Sequence, residues 1–296
     1  MTNPESRIPY PEPRDKNFFT LAAGHFTIEG RSRAGHETYF RVRELGISLD
    51  VGRCPDLVIN MPHVFVTHAH LDHALGIPHY AGQRHLQRIE GGRVYVPSEA
   101  ADDFRALMAL HEKLEDTGYG IEIVGVAAGD EVRIGRTHVV RAHRATHRVA
   151  ARAYEVLEIR HHLKTEFEHA SPQELVHLRR RGVQVADEFA QPMLFYTGDT
   201  DRGILETNER LFKSDVLMIE CSFIEDGHQV RAAKYRHIHF DDIAEFAARF
   251  ENRLIVLTHF SRRYSREEIH ASLRRRCPPI LRERLRLALP HPFTTL

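Results

Sequence analysis

The chain has 296 residues, no tryptophan, only three cysteines and no net charge, since 41 Lys plus Arg balance 41 Asp plus Glu. Cys54, Cys221 and Cys277 are odd in number and far apart, so they suit neither a disulfide framework nor a cysteine-built zinc ribbon; a reducing compartment is expected. Zero net charge excludes a global field that recruits polyanions, so a nucleic-acid partner would need a local basic patch. Nearly all the positive charge is Arg, the better side chain for forked phosphate contacts, although codon bias produces the same composition. No apolar run approaches ~18 residues, which excludes a membrane-spanning helix. The opening "MTNPESRIPYPEPRDKNFF" is polar and Pro-rich and lacks the apolar centre of a signal peptide, so a cytoplasmic location is expected. No internal repeat or low-complexity linker divides the chain.

What is present is a series of short β-branched runs. "ETYFRVRELGISLDVG" (37–52) alternates like two strands around Leu45-Gly46. Further strands are expected in "HVFVT" (63–67), "RVYVP" (93–97), "IEIVGV" (121–126), "THVVRA" (137–142) and "AYEVLEI" (153–159). "MLFYTGD" (193–199), "VLMIE" (216–220) and "RLIVLTH" (253–259) complete the set. Helical periodicity appears in 98–115, 206–213, 241–251 and 266–275. "SPQE" (171–174) reads as a capped helix start, with Ser171 as N-cap, Pro172 first in the helix and Glu174 as the reciprocal cap; Gly182 would end it. Strands and helices interleave, with too few helices for a regular βα barrel. The pattern predicts an α/β protein of two layered sheets flanked by helices. Residues 1–18 read as an irregular lead-in to a single domain over 19–296.

Within "VFVTHAHLDHALGIPHY" (64–80), His68, His70, Asp72 and His73 fall in H-x-H-x-D-H spacing directly after a strand. His68 and His70, two apart, face one side of an extended backbone. Asp72 and His73 follow the bend and reach a second point. Neutral imidazole and carboxylate are the ligands a borderline divalent ion prefers, and four in six residues suggest two ions. With 22 histidines, isolated pairs arise by chance, as in "RHH" (160–162) and "RHIH" (236–239). The full spacing after "VFVT" is much more specific. His147, Asp199 and His259 are each metal-competent residues just beyond a β run, so one sheet edge could gather them. His143 competes with His147 on this reading.

The set HxHxDH, a single His, a "GDT" Asp and a terminal His resembles, in that order, the metallo-β-lactamase superfamily. The resemblance implies an αβ/βα four-layer sandwich holding two metals. It assigns His68, His70 and His147 to one ion and Asp72, His73 and His259 to the other, with Asp199 bridging. It also favours His147 over His143.

"ECSF" with Glu220, "HIH" before a helix and "LTHFSRRY" are similar to the ribonuclease Z family, and "LDVGRCP" (49–55) is most like its plant-type short form. That resemblance spans roughly residues 22–289. It implies a two-zinc endonuclease (manganese being an alternative) that removes the 3′ trailer from precursor tRNA, working as a homodimer. Asp72, Glu220 and His237 become the catalytic candidates. His237, held by Glu220, would protonate the leaving ribose 3′-oxygen; the bland reading is an ordinary buried pair, and His239 is a competing histidine. Arg263 sits at a family Arg position that could hold phosphate. Many relatives carry a long basic arm between the single His and the GDT Asp. Here only a short exosite-like insertion around 158–190 is expected, with Arg179, Arg180 and Arg181 either contacting phosphates or ending a solvated helix. The rival expectation is a hydrolase of a small phosphodiester or ester.

Overall fold

The computed structural model describes residues 18–296. The Pro-rich lead-in through residue 17, including most of the stretch read for a signal peptide, lies outside the described residues.

Two seven-stranded sheets run in chain order. The first contains β1 (Phe19–Ala23), β2 (Phe26–Arg33), β3 (Glu37–Val42), β4 (Ile47–Leu49), β5 (His63–Phe65), β6 (Arg93–Pro97) and β7 (Glu122–Val126). The second contains β8 (Glu131–Ile134), β9 (His138–Ala145), β10 (Ala151–Leu163), β11 (Ala186–Tyr196), β12 (Val216–Glu220), β13 (Leu254–Thr258) and β14 (Leu285–Leu287). In each sheet the first four strands pair antiparallel and the last four parallel. The two halves therefore share a topology that no sequence repeat announces. Parallel neighbours need long crossovers. Helices Ile77–Leu86 and Ala101–Glu115 supply them in the first sheet, Phe240–Glu245 and Arg266–Arg276 in the second.

Three apolar cores separate four layers. Phe40, Phe65, Tyr154, Leu194 and Val256 pack between the sheets. Val64, Val94, Tyr80 and Phe104 pack the first sheet on its helices, and Leu217, Leu257, Phe240 and Leu273 do the same for the second. Strand β13 shows why its run is apolar at every position: Leu254 and Val256 enter the central core while Ile255 and Leu257 face the helices. The expected four-layer sandwich is the fold observed.

The sheets leave their loops at the carboxyl ends of β4, β5, β11, β12 and β13, where ligands gather in open parallel sheets. The interval 158–190 is a two-stranded arm. Strands β10 and β11 stay paired from Leu157↔Pro192 to Leu163↔Ala186 after an irregularity at Val156/Leu157, and helix Pro172–Arg180 sits at the tip. That helix begins with the expected reciprocal cap: Glu174 N donates to Ser171 Oγ, and Ser171 N donates to Glu174 at 2.8 Å. Among the described residues no helix is long and apolar enough to cross a membrane. All three cysteines are free and buried.

Candidate metal centre

Four histidines converge from beyond three strands, His68 and His73 after β5, His147 after β9 and His259 after β13, and each has one ring nitrogen tied outward. His73 Nδ1 donates to Asp50 Oδ2 at 2.8 Å. His147 Nδ1 donates to the Arg236 carbonyl at 3.0 Å. Thr67 Oγ1 gives its proton to Asp50 and so accepts from His68 Nδ1 at 3.0 Å. Ser222 Oγ gives its proton to Glu220 Oε2 and accepts from His259 Nδ1 at 2.9 Å. In the neutral rings these bonds leave an unprotonated Nε2 aimed inward on all four.

The inward nitrogens then face one another. His70 Nδ1 lies 2.9 Å from His68 Nε2 and 3.3 Å from His147 Nε2. His73 Nε2 lies 3.5 Å from His259 Nε2. Asp199 stands between the groups: Oδ2 is 3.8 Å from His68, 3.9 Å from His147 and 3.3 Å from His259, and Oδ1 is 3.4 Å from His73. Asp72 Oδ2 is 3.4 Å from His259 and 3.7 Å from His73, and is held by the Gly35 N–H at 2.7 Å. Three overlapping ligand groups emerge, His68–His70–His147–Asp199, Asp72–His73–His259 and Asp199–His237–His259. Asp199 Oδ1 is buried without a hydrogen-bond partner. Converging lone pairs beside an orphaned carboxylate oxygen fit a divalent metal, and the His/Asp donor set suits it.

The electrostatics point the same way. Burial, then the neighbouring imidazoles, hold the His68 pKa well below its ordinary value. Burial also opposes a charge on His73, but the Asp199 and Asp50 carboxylates outweigh it and lift the pKa to about 10. The same carboxylate field favours any cation placed between these rings.

Beside this cluster, His237 Nδ1 donates to Glu220 Oε1 at 2.8 Å. Glu220 is fully buried at the end of β12 and also accepts from Thr200 N at 2.8 Å. Burial opposes protonation of His237, yet the Glu220 charge and hydrogen bond prevail and raise its pKa to about 9. His237 lines a cleft of about 610 Å³ with His70, His147, Arg148, Arg231 and Arg263.

The competing histidines sit elsewhere. His143 Nε2 bonds Glu155 at 2.9 Å. His239 caps helix Phe240–Glu245: its Nδ1 accepts from Asp241 N, and its Nε2 donates to the Glu225 carbonyl. Arg263 borders the cleft and donates to Ser261 Oγ at 3.2 Å. Arg179, Arg180 and Arg181 are exposed on the arm and are not among the residues lining this cleft.

Sequence reasoning gave no role to Asp50, Thr67 or Ser222. Asp50 is wholly buried and accepts from Thr67 N at 2.7 Å and Tyr196 Oη at 2.8 Å besides His73. Its position just past β4 was the available signal. Asp50 (φ 56°) and His259 (φ 60°) both adopt the left-handed region, a strain tolerated where surrounding contacts fix a functional side chain.

Residues 55–260 match the family model of the beta-lactamase superfamily domain, and the chain belongs to that superfamily. A tRNase Z of Arabidopsis thaliana is 34% identical over 258 residues, covering 86% of this chain and 92% of the relative. The chloroplastic tRNase Z of that plant is 30% identical over 251 residues, covering 84% and 71%. This chain belongs to the tRNase Z family. The crystal structure of the short form of human tRNase Z shares the fold, with a TM-score of 0.52 and 18% identity over 84% of this chain and 92% of that one.

Proposed function

We propose that this protein is a two-metal phosphodiesterase that removes the 3′ trailer from precursor tRNA. The observation that carries the reading beyond a generic hydrolase is the Glu220–His237 pair beside the seven-residue cluster.

His68, His70 and His147 would hold one ion and Asp72, His73 and His259 the other, with Asp199 shared. Zinc suits these ligands, and manganese is an alternative. When bound, such ions supply Lewis acidity toward a phosphoryl oxygen and make water nucleophilic at neutral pH. The chain's own groups handle protons and position. Asp72, held at Oδ2 by the Gly35 N–H, would accept a proton from the attacking water. His237 Nδ1 is committed to Glu220, so its Nε2–H faces the cleft and protonates the departing 3′-oxygen as the P–O3′ bond breaks. The products are a tRNA 3′-hydroxyl and a trailer 5′-phosphate. Arg263, and on the arm Arg179, Arg180 and Arg181, are proposed phosphate contacts.

We also expect a homodimer. Exposed Leu71, Leu75, Leu86 and Leu107 help line an apolar groove of about 670 Å³ along helices Ile77–Leu86 and Ala101–Glu115. Such a patch suits a second copy, and sedimentation as a monomer would reject it. The free, buried cysteines suit a cytoplasmic location.

Purified protein incubated with precursor tRNA should release a trailer bearing a 5′-phosphate. Intact precursor, alongside rapid hydrolysis of bis(p-nitrophenyl) phosphate, would point instead to a small phosphodiester substrate.

A further inference from the structure

We infer that a second cleft, lined by Arg31, Arg33, Arg262 and Arg266 and adjoining the metal centre, binds a phosphate of the RNA strand other than the scissile one. The inference rests on the RNA reading above and deepens it.

The cleft encloses about 170 Å³ where the end of β2 meets the turn after β13. Four arginines line it in a chain whose net charge is zero. Arg33 and Arg262 have no carboxylate partner among the described residues, and the pair Arg31–Glu37 is long at 3.7 Å. The acidic residues next along the chain are Glu267, and Glu268, which is occupied by the Ser265 N–H at 2.7 Å. The arginines feel one another: burial first, then the charges of Arg31, Arg262 and Arg266, lower the Arg33 pKa. Arg33 and Arg262, like charges side by side without a carboxylate partner among the described residues, are a site for an anion. Forked guanidinium contacts make phosphate the favoured class. The start of helix Arg266–Arg276, capped by Ser265, opens on the same cleft and adds its dipole.

Its place next to the chemistry makes an RNA phosphate the expected occupant. Ser261 and Arg262 line both this cleft and the one containing His237. The His259 N–H donates to Ser32 Oγ at 3.0 Å, and Ala34 N donates to the Phe260 carbonyl at 3.2 Å. A phosphate held here is thus fixed relative to the segment carrying His259. A strand leaving the metal centre would be gripped at a set distance from the bond to be cut, whereas a small phosphodiester would not span the two clefts.

The test uses Arg33, which is exposed and lines only the second cleft. In zinc-loaded protein, precursor tRNA binding is followed by fluorescence anisotropy across a salt series, in a His237→Ala background that slows cleavage. Arg33→Ala should weaken binding about tenfold and reduce the slope of log K against log salt by about 1, and Arg33→Glu should weaken it further. With His237 intact, kcat/KM for precursor tRNA relative to bis(p-nitrophenyl) phosphate should fall in parallel. Unchanged thermal midpoint and zinc content in Arg33→Ala would verify folding. Equal RNA affinity and salt slope in wild type and Arg33→Glu would overturn the inference. Calorimetric binding of inorganic phosphate that Arg33→Glu abolishes, with RNA affinity unchanged, would mark a free-anion site and overturn it as well. Failure of the wild-type protein to cut precursor tRNA would defeat the proposed reaction, and the affinity comparison would still decide whether this cleft grips RNA.

Discussion

Asp50 Oδ2 accepts the His73 Nδ1 proton at 2.8 Å across 23 positions of chain, and it does so with both side chains fully buried. That bond fixes the tautomer that turns His73 Nε2 inward. Asp50→Asn replaces one acceptor oxygen with a donor, which in place of Oδ2 opposes the His73 and Tyr196 protons and in place of Oδ1 opposes the Thr67 N–H. Metal affinity should fall about 10–100-fold, as read by competition with a chromophoric chelator. Affinity equal to wild type would remove Asp50 from the centre's support.

His237→Ala should lower kcat for precursor tRNA about 10²–10⁴-fold with metal content unchanged by elemental analysis. His237 lies within ligand reach of Asp199 and His259, but its Nδ1 meets Glu220 directly, and the proposal assigns it to neither ion. Loss of metal in this variant would mean that it is a ligand rather than a proton donor.

Gly198 precedes Asp199 at φ 56°, and a Cβ there would stand 2.6 Å from the Cβ of Thr67. Thr67 in turn holds both Asp50 and His68. Gly198→Ala should therefore cost at least about 2 kcal/mol through backbone strain and overpacking. It should also reduce metal binding. A thermal midpoint within 1–2 °C of wild type, roughly the shift of a sub-kcal change, would contradict the close approach.

Glu155 lies on β10 away from the metal centre, its side chain fully buried against His143 at 2.9 Å and Arg210 at 2.7 Å. Burial raises its pKa, but the His143 and Arg210 hydrogen bonds and charges outweigh that and set it below the usual carboxylate range. Because the folded value is depressed, the pair stabilises the fold above the unfolded pKa of about 4.3, and that contribution is lost as pH falls through the folded value. Urea titrations of metal-free protein should show stability dropping through this acid range. Glu155→Gln should start about 1–3 kcal/mol lower at pH 7 and lose less on acidification. Parallel curves would show that Glu155 does not govern the acid response.

Strands buried on both faces, such as β12 and β13, were legible as apolar runs, and their ends located His259 and Glu220. Strands β8 and β14 span four and three residues, too short to display a period. The insertion around 158–190 was expected, but its two strands were not, because the outer parts of β10 and β11 are half-buried or exposed throughout, so no alternation marks them. Helix Ile77–Leu86 escaped because its buried face includes Arg84, whose guanidinium donates to the carbonyls of Ile59 and Gly91. The histidines and acids of the centre could be proposed from spacing and strand ends. The choice between His237 and His239 could not, since it depends on which of them reaches Glu220, a contact made only on folding.

The central claim is that seven side chains hold two adjacent cations, with Asp199 between them. It is tested most directly by counting metal in zinc-saturated, gel-filtered protein and in Asp199→Ala. Two equivalents per chain, falling to one or none in the variant, is the expected result. No more than one equivalent in the wild type, or two retained without the Asp199 carboxylate, would contradict it.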